Sequence, residues 1–368
     1  MFKKLIIVCF LFLLFFFTSS LVYAEEQTFE GRIVKLLEEK GNYQKIEVQV
    51  LTGDKKGESV VVENGMFTSS EVLKYKIGDG VVLNSTQVEG GSEFTVIADH
   101  VRRPVLAFLF AIFVILTVVI AGRWGLTSIL GMGYSFYVIF VFILPMILKG
   151  YDAVLVAVIG SIFIIPVTFS LSHGLNKKTF VAMIGTAISM VIVGLLSSLF
   201  VDLAKLTGFA VEEAGFLQYQ LGDVINLKGI LLAGIIISTL GVMDDITVSQ
   251  SSIVDELRKA NSKLSKKQLF LRSMNVGKDH ISSMVNTLVL VYSGAALPLL
   301  LLFVNNPHPF LEVINYEIVA DEIVRTMVGS IGLILAVPIT TYIAVNSYGK
   351  QLTASIKNGG LKTSKSRE

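Results

Sequence analysis

From residue 25 to about 103 apolar and polar positions alternate in short runs; beyond Pro104 the alternation gives way to apolar blocks about twenty residues long. The alternating runs at 28–37, 44–51, 58–62, 80–86 and 93–98 read as strands separated by Gly, Asn, Asp and Lys clusters. Five short strands in so few residues predict a small β-barrel or sandwich of OB-like type spanning 25–103. The apolar blocks at 104–122, 127–148, 153–171, 179–199, 229–248, 282–304 and 326–345 predict about seven bilayer-spanning helices, a membrane domain of 104–345. A basic tail, 346–368, follows. Before the strands, Lys3 and Lys4 precede an apolar stretch at 5–17, with Val22 and Ala24 in the small-residue pattern of a cleavage site. Residues 1–24 therefore read as a signal peptide cleaved after Ala24, or as an uncleaved signal anchor.

The fifth apolar block departs from the others. It runs as KGILLAGIIISTLGVMDDITVSQSSIVDE over 228–256 and carries Asp244 and Asp245 side by side before the helical pattern ends. An ionised carboxylate at hydrocarbon depth is costly, so it requires a partner, a proton or a water-filled cavity. At about 100° per residue, Ser238, Gly241, Asp245, Ser249 and Ser252 share one face, and Asp244 falls on the next face with Leu240, Ser251 and Asp255. This polar stripe is expected to face protein. Two readings of the acidic pair stand: a site that handles a proton or cation, or two carboxylates at the cytoplasmic water boundary.

In the sixth block Asp279, Ser283, Asn286 and Ser293 share one helical face, predicting a polar surface that lines the same path as the acidic pair. Asp244, Asp245, Asp279 and His280 also have the ligand types of a cation site, although no spacing enforces one. Glycines and small residues, such as Gly185 with Ser189 and Gly131 with Gly133, predict close helix packing. Pro145, Pro166, Pro298 and Pro338 predict kinks. The outer loop 202–227, with Glu212, Glu213, Tyr219 and Asp223, is expected to lie along the interface as an amphipathic helix.

Composition agrees with a polytopic α-helical membrane protein, since 53% of the 368 residues are hydrophobic and only 16% are charged. Predicted cytoplasmic parts hold Lys177, Lys178, Arg258, Lys259, Lys263, Lys266 and Lys267, whereas the outer loops hold few basic residues. The positive-inside rule then places the β-domain outside a bacterial cell membrane and the C-terminus in the cytoplasm. The sole cysteine, Cys9, lies in the leader, so a cleaved chain has no disulfide or thiol chemistry. Walker, HExxH and Gly-x-Ser-x-Gly patterns are absent, and His100, His173, His280 and His308 are scattered, so neither an enzyme nor a cofactor is expected. The balanced charge gives no reason to expect nucleic acid. The expected partners are the lipid bilayer and, with the choice open, a second copy or a paralogous membrane subunit.

Three segments, GVMDDITVSQSSIVDEL, GKDHISSMVNTLVLVYSGAALPLLLLF and EIVADEIVRTMVGSIGLILAVPITTYIAV, resemble the YibE/F-like family of bacterial multi-pass membrane proteins. That resemblance implies an extracytoplasmic domain followed by membrane helices, and no activity. The acidic segment is also similar to the Gly-x-x-x-Asp-Asp-x-x-Val helix of resistance-nodulation-division transporters and, with one Asp, of SecD and SecF. This second likeness implies that Asp244 and Asp245 relay protons. The partner lysine of the drug exporters has no counterpart inside any predicted span, and the soluble domain here precedes the first span. Two functions follow as expectations: a proton- or cation-coupled permease or transport-associated protein capped by the β-domain, or a non-transporting scaffold or signalling protein that presents that domain to a partner.

Overall fold

The computed structural model describes residues 27–65, 73–87, 93–210, 212–222, 225–304 and 309–359. The expected signal segment, 1–24 with Cys9, lies outside the described residues, as do Asp223, His308 and the end of the basic tail. The chain forms two compact units that divide between Ile120 and Ala121.

In the first unit five strands, β1 (Gln27–Lys40), β2 (Tyr43–Val50), β3 (Ser59–Asn64), β4 (Gly80–Gln87) and β5 (Glu93–His100), form one antiparallel sheet ordered β3-β2-β1-β4-β5. They occupy the five stretches whose alternation predicts strands. β1 is long enough to pair with β2 through its second half and with β4 through its first, and register shifts between Ile33 and Lys35 and between Leu36 and Glu38 let it bend. The edge strands β3 and β5 approach one another, so the sheet curls around its own apolar face. Phe29, Ile33, Ile46, Val48, Val50, Val62, Val81 and Leu83 fill that interior. Gln44 and Tyr75 close one end: the Gln44 amide donates to the Tyr75 carbonyl at 3.0 Å and accepts from its N–H at 2.9 Å.

The helices are α1 (Arg103–Val138), which passes through a π-helical segment (Ile139–Ile143) into α2 (Leu144–Leu148), then α3 (Ala153–His173), α4 (Lys177–Leu203), α5 (Glu212–Leu221), α6 (Leu227–Ala260), α7 (Lys266–Ala295), α8 (Leu297–Val304), α9 (Phe310–Val313) and α10 (Glu317–Gly359). Among the described residues five helices are long and apolar enough to cross a membrane, against the seven expected. Two differences account for this. The blocks 104–122 and 127–148 fall in one 46-residue stretch, Arg103–Leu148, made of two helices that join across a kink at Gly122, where the first block ends. Only Gly122 leaves the helical conformation, with φ 59° and ψ −135°, a conformation open to glycine. The block 282–304 breaks at Ala296 into α7 and α8, and α7 begins among charged residues at Lys266. Pro166 and Pro338 lie inside α3 and α10 without ending them.

In the second unit α6 packs against α3, α4, α7 and α10, and α10 also packs against α4 and α7. Small residues set these contacts. A Cβ added at Gly185 would come within 2.3 Å of Thr340 Oγ1, and one at Gly332 within 2.2 Å of Val193 Cγ2, so α4 and α10 touch at both places. Gly131 faces the α3 backbone at Thr168, whereas Gly133 faces open space.

Candidate functional site

α6 starts where Asn226 accepts from the Gly229 N–H at 3.1 Å, a side-chain cap for the first free amides. It ends with Arg258 and Lys259 in the last turn, where basic groups complement the helix dipole. Between these ends, Leu231, Leu232, Ile235, Ile236, Thr239, Met243, Ile246, Thr247, Gln250 and Val254 are buried. The opposite face is small: Gly234, Ser238, Gly241, Asp245, Ser249 and Ser252.

Asp245 is exposed and Asp244 partly buried, and the two carboxyl groups interact with each other. Two neighbouring carboxylates repel when both are ionised. Asp245 also acts electrostatically on His173, the last residue of α3. The depth of the pair follows from one hydrogen bond. Ser251 Oγ donates to the carbonyl of Lys178, at the start of α4, at 2.9 Å. Asp245 lies six residues before Ser251, about 9 Å along the helix axis, so the pair sits near one end of the bundle, less than two turns from the start of α4.

The expectation that the acidic stripe faces protein is corrected here. Gly241 and Asp245 are exposed, and Ser238, Ser249 and Ser252 are only partly covered. Glycine and serine offer little side chain to pack, and the bulkier opposite face of α6 takes the contacts with α4 and α10. The expected junction with α7 is corrected as well. Asp279, Ser283 and Asn286 are exposed, Ser293 and His280 are partly buried, and α7 turns Ser273, Gly277 and Leu288 inward instead. Among the described residues no three His, Cys, Asp or Glu side chains converge as metal ligands, so Asp279 and His280 do not complete a cation site with Asp244 and Asp245.

A second polar group, which the sequence reading passed over, fills the interface of α4, α6, α7 and α10. Thr186 and Thr247 share a hydrogen bond of 2.8 Å between their hydroxyls. Gln250 Nε2 donates to Thr341 Oγ1 at 2.6 Å and to the Ser273 carbonyl at 3.1 Å. Gln250, Ser273, Thr340 and Thr341 are all buried, and Gln250 Oε1, Ser273 Oγ and Thr340 Oγ1 have no partner among the described residues. Thr239, Thr247 and Gln250 recur at helical spacing on the face of α6 opposite Asp245, but that spacing does not show which of them meets partners on other helices.

The model of one protein family, described as YibE/F-like protein, matches residues 109–350 and so covers α6, its acidic pair and every helix packed on it. The chain belongs to the YibE/F-like family. No curated protein and no solved structure matches it. The matched region begins inside α1 and leaves out the whole β-sheet, so what is shared across the family is the helical unit. At the far end of that unit the loops carry a carboxylate strap: Glu317 Oε1, at the start of α10, accepts from the Thr207 N–H at 2.6 Å, its hydroxyl at 2.7 Å and the Gly208 N–H at 2.9 Å. Nearby, Asp321 and Arg325 stand 3.8 Å apart.

Proposed function

We propose that this protein is a membrane permease or transport-associated protein in which Asp244 and Asp245 pass a proton or a cation through the end of the bundle where α3 closes and α4 begins. The observation that carries this reading is the place of the acidic pair, on the helix that four others pack against. A helix that only anchored a soluble domain would have no use for adjacent carboxyl groups on its central element. The route runs along the small stripe of α6, past Ser238, Gly241 and Ser249, where missing side-chain bulk leaves room for water.

In this reading the membrane is the bacterial cell membrane and the blocks on either side of the Gly122 kink are two crossings, so that the basic residues around Lys177, Lys178 and Arg258 to Lys267 support a β-domain outside and a C-terminus in the cytoplasm. The strand order and the approach of β3 to β5 support an OB-like barrel for the outer domain. The second reading, a scaffold that presents the β-domain to a partner, is favoured by one observation: Asp245 is exposed near the end of the bundle, where a carboxylate can stay hydrated.

Proton flux into sealed proteoliposomes, read by a trapped pH-sensitive dye after an imposed pH step, separates the two. Transport predicts flux from the wild type that falls at least tenfold in the Asp244→Asn, Asp245→Asn double variant while the protein stays folded. Equal flux from both proteins, or flux no greater than that of empty liposomes, removes the transport reading.

A further inference from the structure

The exposed face of α7 is polar where a lipid-facing helix should be apolar. Asp279, Ser283 and Asn286 are exposed, Ser293 continues the same line, and the opposite face packs through Ser273, Gly277 and Leu288. The depth of the stripe is fixed by its neighbours. Leu288 and Tyr292 share a crevice with Thr239, Val242 and Met243 of α6 and with Gly329 and Leu333 of α10. Both of those helices are long and apolar enough to span a bilayer, and the crevice falls about midway along each. Asn286 is two residues, about 3 Å, from Leu288 along the axis, which puts its carboxamide at hydrocarbon depth. Among the described residues no hydrogen bond reaches the Asn286 side chain or Ser283 Oγ. Polar groups left unpaired in hydrocarbon are strongly disfavoured, so this face requires a cover.

We propose that the cover is a second copy of this chain, docked α7 against α7 about a two-fold axis along the membrane normal. Copies inserted in one orientation can meet isologously only in this way, with each residue of the stripe opposite its own image. The chemistry of the stripe is self-complementary. A carboxamide both donates and accepts, so Asn286 satisfies Asn286, and the serine hydroxyls do the same. Lys278 and Asp279 lie on neighbouring faces at the charged end of the helix, so the lysine of each copy meets the aspartate of the other. Gly294 adds room: a Cβ there would meet nothing within 4 Å.

The test uses the full chain in its native membranes with Cys9→Ser, which removes the sole cysteine. Asn286→Cys and Ser293→Cys are placed in the stripe, and Val191→Cys on the exposed apolar face of α4 serves as control. Mild oxidation is expected to shift most of the two stripe variants to twice the chain mass and the control less than one-tenth as much. Cross-linking that is absent at both stripe positions, or equal at Val191→Cys, overturns the proposal. So does a product whose mass is not twice the chain, which would place another subunit on the face. Rapid labelling of Asn286→Cys by a membrane-impermeant maleimide also overturns it, because the face would then line water. A second readout needs no cysteine: Asn286→Gln keeps the dimer in mild detergent, and Asn286→Leu lowers the dimer fraction at least tenfold with the monomer folded.

Discussion

At the scale of single residues, Gln250 distinguishes the two polar faces of α6. Its amide joins α6 to α7 and α10 through the Ser273 carbonyl and Thr341 Oγ1, in a site closed to solvent. Gln250→Ala removes both bonds and leaves their partners buried and unpaired, so it should cost about 1–3 kcal/mol, seen as a lower Tm in detergent. Asp245→Asn, on the exposed face, should leave that Tm within experimental error while altering flux. In the β-domain, hydrogen bonds from Arg102 and then from the His100 N–H hold Asp99 below the ordinary aspartate value of 3.8. A carboxyl depressed in the folded state contributes stability above its unfolded value and loses it as pH falls through its folded value. The side chain is about half exposed, so solvent screens the effect and the contribution is small. Urea midpoints of wild type and Asp99→Asn should therefore differ slightly at neutral pH and converge below the ordinary aspartate range. The acidic pair was legible in the sequence because two adjacent carboxylates in an apolar block stand out. Gln250 was not, because a single amide among Thr and Ser shows its importance only when Ser273 and Thr341 arrive from other helices.

At the scale of elements, glycine positions decide how closely the helices approach. Gly185 and Gly133 look alike in the sequence, each within a helix beside small or polar residues. The structure separates them, since a Cβ at Gly185 collides with Thr340 and one at Gly133 meets nothing. Gly185→Val should push α4 from α10 and cost about 1–3 kcal/mol, the range for overpacking a tight contact. Gly133→Ala should be neutral or stabilising by up to about 1 kcal/mol through helix propensity. Chemical denaturation in mixed micelles measures both. The same logic applies at Gly122. Hydropathy ends the first apolar block there, and the chain kinks where a glycine takes φ 59°, a backbone conformation that side chains rarely adopt. α7 shows the reverse case. Its helical face of polar residues was readable by spacing, while the direction in which that face points depended on Gly277, where a Cβ would meet Val337 at 2.7 Å, and on Leu288.

At the scale of the whole molecule, the two units have separate interiors: one apolar cluster inside the sheet and another among the helices. A fragment of residues 25–103 should therefore fold alone, with a β-type circular dichroism spectrum and cooperative urea unfolding; a non-cooperative transition would show that the sheet depends on the helices. The family match, 109–350, lies outside the sheet. By itself the sequence determined what local periodicity encodes: five strands with alternating faces, long apolar helices, and an acidic pair that hydrocarbon would reject. Only the tertiary structure decided which faces are covered, because covering depends on side-chain bulk and close approach between residues far apart in the chain. That is why the interior polar contacts of Gln250 and Thr186 were hidden, and why the stripes of Asp245 and Asn286, expected to meet under cover, are both exposed.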